Sequence, residues 1–423
     1  MLYQQDLTNK QTTQTMARTV PFSFRSNTWN RSDSILTLLN AWVDRMDKTD
    51  RINFQAFGLK GLLVLKRVKL DWGFLMAASR FWDAKDHVFR FHLAELCPTV
   101  EEFTAILGCD IDAPPAVPSC EPKYQTRLSS LMRIPLKEVV PLLDGQWVDV
   151  QKMIDKFVPM EVRTLQQSRS KCFALAFCLL SEFLLFTGDH GFADVRVADI
   201  VHEAANEKNI VPIVLAETFH GLDALSNQET LLFHGSPLLL QIWLMDHLSL
   251  VLPPTMSPYG PEHYRGRSLK RTSCVTEQDW IKHLKEKSSA SILWHCSWWG
   301  CQNPRLRSSG WDHLFLMGLR KASFYKGDRL LRQFDLEPKV PGEAREFGMV
   351  HATSTTITIY ERGLINADRA GNSYRHAGLL KNNHAYLAWL AEEVYDQEEI
   401  LRKKRRAFLK NCREGSRKRK RNN

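Results

Sequence analysis

FRFHLAELCPTVEEFTAILGCDIDAPP, residues 89–115, holds start and stop signals for one helix. Thr99 and Glu102 stand at the S/T-x-x-E spacing of a capping box, Pro98 precedes them, and Gly108 supplies the left-handed residue on which a helix ends. The sequence therefore predicts a short helix over 100–107. Before it, HVFRF (87–91) suits a strand, and after it DIDAPPAVPSCEP (110–122) reads as a Pro-rich loop.

Working outward, SDSILTLLNAWVDRM places Ile35, Leu38, Leu39, Trp42, Val43 and Met46 at helical spacing behind a Ser/Asp start. The same periodicity predicts helices at 55–69, 72–84, 136–143, 148–158, 165–187, 194–206, 211–225, 237–251 and 276–287. The expected class is mainly α: a multi-helical globular domain with a few short strands. Residues 252–273, with four prolines, are the best candidate for a lobe boundary. Beyond them SILWHCSWWG (291–300) and MVHATSTTITIY (349–360) are rich in aromatic and β-branched residues, so strands are expected there and a mixed α+β region over 289–360. The most apolar run, FALAFCLLSEFLLF (173–186), is shorter than the roughly 20 residues of a membrane span and contains Glu182. It reads as a buried core helix, and the expectation is a soluble, intracellular protein with no membrane partner.

From Gly378 onward Leu380, Leu387, Val394, Leu401 and Phe408 recur every seven residues, predicting a long C-terminal helix over 376–412. Asn383, Gln397 and Lys404 interrupt the companion stripe, which favours a helix packed on its own body over a coiled coil. The expected organisation is a disordered leader (1–31), a globular domain (32–360), this helix, and a basic tail (402–421).

The chain of 423 residues has a formal net charge of +10, and the tail explains all of it. Twelve basic residues between Arg402 and Arg421 face one acid, Glu414, so the tail carries +11 and the remainder sums to −1. A basic globular surface is excluded by that split. The tail reads RKKRR (Arg402, Lys403, Lys404, Arg405, Arg406), a ten-residue spacer, then RKRKR (Arg417, Lys418, Arg419, Lys420, Arg421). Two clusters at this separation fit the two acidic, aromatic-lined grooves of importin, so the expected localisation is the nucleus. The alternative is non-specific nucleic-acid binding, with the tail as an electrostatic clamp on phosphates.

Enzyme signatures fail one by one. There is no G-x-x-x-x-G-K-[ST] loop, no G-x-G-x-x-G turn and no G-x-S-x-G elbow, and His202-Glu203 lacks the second histidine of H-E-x-x-H because Asn206 stands there. Asp189, His190, Asp194 and His202 cluster in sequence, but turn and capping roles suit the two aspartates better than acid–base work. His295, Cys296, Cys301 and His313, with Cys274 and His283 upstream, are candidate ligands of a zinc centre; the absence of any C-x-x-C and the adjacency of His295 and Cys296 speak against it. Nine cysteines, an odd number without a secretory signal, read as reduced thiols. No catalytic, metal or cofactor residue is assigned.

The order of blocks resembles the plant mobile domain superfamily, also labelled aminotransferase-like. The stretch at 89–115 is followed by SKCFALAFCLLSEFLLF (170–186), NIVPIVLAETFHGLDAL (209–225), GSPLLLQIWLMDHL (235–248), DWIKHL (279–284) and LFLMGLRKASFYKGDRLLRQFD (314–335). The resemblance covers roughly residues 33–340 and is nearest to a plant-specific branch catalogued as a domain of unknown function. It implies a mainly helical domain found in transposable elements and in host nuclear proteins linked to silencing. The aminotransferase-like label would need a Schiff-base lysine, a phosphate cup and a partner for the pyridine nitrogen; no such set is recognisable, and the superfamily has no agreed catalytic motif to carry over. The expected function is a non-enzymatic binding or scaffold module of transposon or retroelement descent.

Overall fold

The computed structural model describes residues 25–393, apart from 56, 93, 121–122, 256–258, 268–272, 343–348 and 372–382. The helix Val100–Leu107 forms where its signals lie: Thr99 Oγ1 accepts from Glu102 N at 3.2 Å, and Gly108 closes the helix at φ 72°. Three short antiparallel strands, Trp82–Asp83, Val88–Arg90 and Glu95–Leu96, lead into it. Their pairing ends the preceding helix at Ser79, because Trp82 and Asp83 pair with Phe89 and Val88.

Several other helices are divided or trimmed by local chemistry. Of the helix expected over 55–69 only Lys60–Leu65 forms; Gly58, at positive φ, separates it from Lys48–Gln55, a helix that periodicity did not indicate. Leu136–Val139 gives way at Pro141 to a 3₁₀ turn and then to the strand Leu143–Asp144, which pairs with Trp147–Asp149 and, through it, with Phe192–Asp194. Helices Val150–Phe157, Leu165–Phe183, Val197–Ala205, Val211–Ser226, Pro237–His247 and Glu277–Lys285 stand where periodicity puts them. Tyr124–Met132 is an additional helix without a side-chain cap.

The architecture is broadly mainly α, about half helical, with a few small sheets. At its centre lie the last two thirds of Leu165–Phe183 and nearly all of Val211–Ser226 and Pro237–His247. Close approach is enforced by glycine: a Cβ on Gly221 would stand 1.9 Å from His234 O, and one on Gly235, at φ 103°, 2.4 Å from Thr218 Cα. In the connection after the central helices, Tyr259 and Tyr264 are buried in the same hydrophobic cluster as residues on either side of it.

Two expectations beyond residue 289 are corrected. SILWHCSWWG contains no strand; it forms 3₁₀ turns at Ser289–Ser291 and Ser297–Trp299, with Trp298 and Trp299 buried. The β-branched run STTITI sits in a helix, Ser354–Ile365, because Thr353 and Thr356 cap it reciprocally and Tyr360 and Leu364 gain burial on one helical face. Packing outweighs strand propensity there. The strands of this region are Arg305–Arg307, paired with Asp368–Arg369, and the hairpin Leu314–Met317 with Ala322–Tyr325. Residues 384–393 are helical; the rest of the helix expected over 376–412, the leader to residue 24 and the basic tail lie outside the described residues. No helix among the described residues is long and apolar enough to cross a membrane.

Candidate functional site

The basic residues expected to form an import signal, Arg402, Lys403, Lys404, Arg405, Arg406, Arg417, Lys418, Arg419, Lys420 and Arg421, fall outside the described residues, and the last described element before them is the helix at 384–393. Asn383 Oδ1 accepts from Tyr386 N at 3.1 Å, and its amide donates to Pro338 O at 2.9 Å. Tyr386 and Leu390 are buried, and the Arg329 guanidinium lies 4.9 Å from the Trp389 ring centroid. Glu393 approaches Arg90 Nη2 at 3.4 Å and Arg329 Nη2 at 3.8 Å. The two arginines are almost fully buried and held from the other side by Asp83, Asp86 and Glu95, with Arg329 donating to both oxygens of Glu95 at 2.8 and 3.2 Å. Glu393, the last described residue, stands nine positions before Arg402.

Inside the body, polar residues from the segments quoted above meet one another. Glu102, 2% exposed, accepts from Thr99 Oγ1 at 2.9 Å, Trp243 Nε1 at 2.9 Å, His247 Nε2 at 3.1 Å and Gln333 Nε2 at 3.2 Å. His247 Nδ1 bonds Leu293 O at 2.7 Å, and Gln333 also bridges Cys97 N and Cys97 O at 2.9 Å each. One carboxylate therefore ties the capped helix, the helix Pro237–His247, the strand end at Cys97 and the turn Gly327–Phe334.

A second set runs along Val211–Ser226, where Glu217, His220 and Asp223 recur at three-residue spacing on one face. His220 Nε2 bonds Ala322 O at 3.1 Å, His87 Nδ1 bonds Phe324 O, and His87 Nε2 meets Asp223 Oδ2 at 3.1 Å. Two histidines thereby occupy carbonyls along one edge of the hairpin strand Ala322–Tyr325, the groups an unpaired edge would expose. Burial by itself would lower the His87 pKa; the charge and hydrogen bonds of Asp223, with the Phe324 carbonyl, outweigh it and raise it. Burial would likewise raise the Glu217 carboxyl, yet the hydrogen bond and charge of His220, with the Leu319 N–H, draw it down to about 2.

The sequence cluster around Gly188 does not converge. His190 Nδ1 pairs with the buried Glu182 at 2.6 Å, whose other oxygen accepts from Gly191 N at 2.9 Å. Asp194 makes a turn bond to Arg196 N at 2.9 Å and ion pairs to Arg196 and Arg320. His202 is in the last turn of its own helix. His295 Nδ1 bonds Gln333 O at 3.0 Å, and among the described residues no group of three or more His, Cys, Asp or Glu is arranged to hold a metal ion. Burial pushes the thiols of Cys97, Cys178, Cys296 and Cys301 well above the ordinary cysteine pKa.

Sequence reasoning missed the Arg90–Arg329–Glu95 network and the Glu102 hub. Their signal is a polar residue embedded in an apolar run, Arg90 and Glu95 in FRFHLAEL and Arg329 and Gln333 in RLLRQF, which neither composition nor periodicity can pair. It also missed a cleft of about 150 Å³ beside the Pro-rich loop, lined by Asp112, Pro114, Asn209, Pro212, Arg305 and Arg369 among others.

A family model described as a domain of unknown function (DUF7745) matches residues 39–395, spanning the hub, the hairpin and the docked C-terminal helix and stopping before the basic tail. No curated protein and no solved structure matches the chain.

Proposed function

The chain belongs to the DUF7745 family, and from that premise we propose that it is a non-enzymatic nuclear binding or scaffold module, a branch of the plant mobile domain type descended from a transposon or retroelement. The tail delivers it: importin reads Arg402–Arg406 in one groove and Arg417–Arg421 in the other, while the folded body carries the partner-binding surface. The observation that supports this reading is the division of charge, +11 on the tail against −1 elsewhere. The described residues end in a helix held to the body by the buried Tyr386 and Leu390, upstream of the first basic cluster. The Glu102, Glu217 and Asp223 carboxylates serve internal bonds, consistent with residues that build the domain.

Fusing residues 400–423 to a fluorescent reporter tests the delivery step. Nuclear accumulation is expected, with loss when either basic cluster is replaced by alanine; a reporter that stays cytoplasmic ends the proposal. The second reading, a nucleic-acid clamp, rests on the same twelve basic residues. It requires DNA affinity whose logarithm falls steeply with log salt, by about 0.9 per phosphate neutralised.

A further inference from the structure

We propose that His87 is a proton-operated latch: with a proton on each ring nitrogen it fastens the hairpin Leu314–Met317/Ala322–Tyr325 to the helix Val211–Ser226, and losing one of those protons as pH rises loosens the hairpin's outer edge. The geometry fixes the proton count. His87 Nδ1 faces the Phe324 carbonyl and Nε2 stands 3.1 Å from Asp223 Oδ2, and both partners are acceptors. Asp223 Oδ1 already accepts from Trp82 Nε1 at 2.8 Å, so that carboxylate is an acceptor on both oxygens. A neutral imidazole has one N–H and would turn a lone pair toward one of these oxygens.

The backbone and the neighbouring rings point the same way. His87 lies at φ 53° in the turn between the strands Trp82–Asp83 and Val88–Arg90, a conformation that a side chain with a Cβ keeps only where its surroundings over-determine it. Its ring stacks on Trp82 and Phe219, with centroids 5.8 and 5.4 Å away, and aromatic faces favour a cation. Loss of one bond therefore removes both the latch and the constraint that holds the turn.

The other ionisable groups facing the ring are Asp83, on the adjoining strand, and His313, on the chain entering the hairpin. Burial and the Lys326 charge draw His313 down to about 4, so it stays neutral where the latch works. Burial opposes the charge on His87, but Asp223, the Phe324 carbonyl and Asp83 together hold its pKa above the ordinary 6.5. The latch is therefore complete below pH 6.5 and is lost as pH rises to the folded value, a window in which opening grows by up to about tenfold per pH unit. His220 Nε2 still holds the Ala322 carbonyl at 3.1 Å and Tyr325 stays buried, so the loosening is confined to the edge around Phe324.

The experiment uses the full-length chain labelled with ¹⁵N-histidine. At pH 6.5, where an ordinary imidazole is half neutral, His87 is expected to carry a proton on each ring nitrogen. Hydrogen exchange of the Ala322–Tyr325 amides, divided by the intrinsic rate at each pH, should show opening that climbs by about tenfold per pH unit above 6.5 and then levels. In His87→Gln, which has no proton to lose, opening should be greater and flat across the same range. If that variant does not fold, Asp223→Asn decides: it keeps an acceptor for Trp82 Nε1 and removes the charge, so the window narrows from its upper end. A His87 ring nitrogen without its proton at pH 6.5, opening that is flat with pH in the unaltered chain, or an unchanged pH course in Asp223→Asn overturns the latch.

Discussion

Replacing Glu102 with Gln keeps the volume of the side chain and changes one acceptor oxygen into a donor. Four donors converge on that carboxylate, from Thr99, Trp243, His247 and Gln333, all in the buried interior. A single amide oxygen cannot serve them all, so at least two buried donors lose their acceptor, at about 1–3 kcal/mol each. The expected loss is about 4 kcal/mol, a large share of the roughly 5–15 kcal/mol that holds a folded protein together. Trp243→Phe, which removes one donor and keeps the ring in place, should cost about 1 kcal/mol by the same reasoning. In the double variant no indole N–H remains to face the new amide, so its cost should fall short of the sum by about 1–2 kcal/mol. Urea unfolding, followed by tryptophan emission and by far-ultraviolet circular dichroism, measures each corner of the cycle. Additivity within about 0.5 kcal/mol would refute the view that Glu102 joins these elements.

Three further outcomes follow from the geometry. Glu217 has a folded pKa near 2 against an ordinary 4.5, so its stabilisation is complete above pH 4.5 and is lost as pH falls toward 2; it amounts to about 3 kcal/mol. Thermal unfolding across that window should flatten in Glu217→Gln, and an unchanged slope would assign the acid sensitivity to other groups. Leu390 is fully buried, so Leu390→Ala should cost about 2–5 kcal/mol and speed amide exchange over 384–393. Glu393→Gln, at a side chain 39% exposed, should change stability by no more than about 1 kcal/mol. Exchange over 384–393 that is indifferent to Leu390→Ala would mean that this leucine does not hold the helix to the body.

What could be read locally was read correctly where the determinants were local. Thr99, Glu102 and Gly108 bound the helix Val100–Leu107 because capping needs only groups within one turn. The apolar run at 173–186 is a core helix over most of its length, and Glu182 within it is satisfied by His190 and Gly191. Reading failed where the determinant was a neighbour distant in sequence. STTITI has strand composition, and the local Thr353 cap does not outweigh that composition in sequence; it is helical because Tyr360 and Leu364 are buried in the core, with Tyr360 OH donating to Ala116 O at 3.0 Å. Trp298 and Trp299 resemble strand residues, but Trp299 Nε1 donates to Tyr264 OH at 2.6 Å from a 3₁₀ turn. The Glu102 side chain shows both cases: its place in the capping box is local, while its bonds to Trp243 and Gln333 cross 141 and 231 positions of chain.

By itself the sequence determined the mainly helical class, the position of most helices and the concentration of positive charge at the C-terminus, since periodicity, capping and net charge are properties of contiguous residues. Only the tertiary structure decided which buried charges meet, that two histidines cover a hairpin edge, and that His87 meets an acceptor at each ring nitrogen. Those facts depend on which surfaces pack together, and packing selects partners by shape and burial across hundreds of residues, information that no single window of the chain contains.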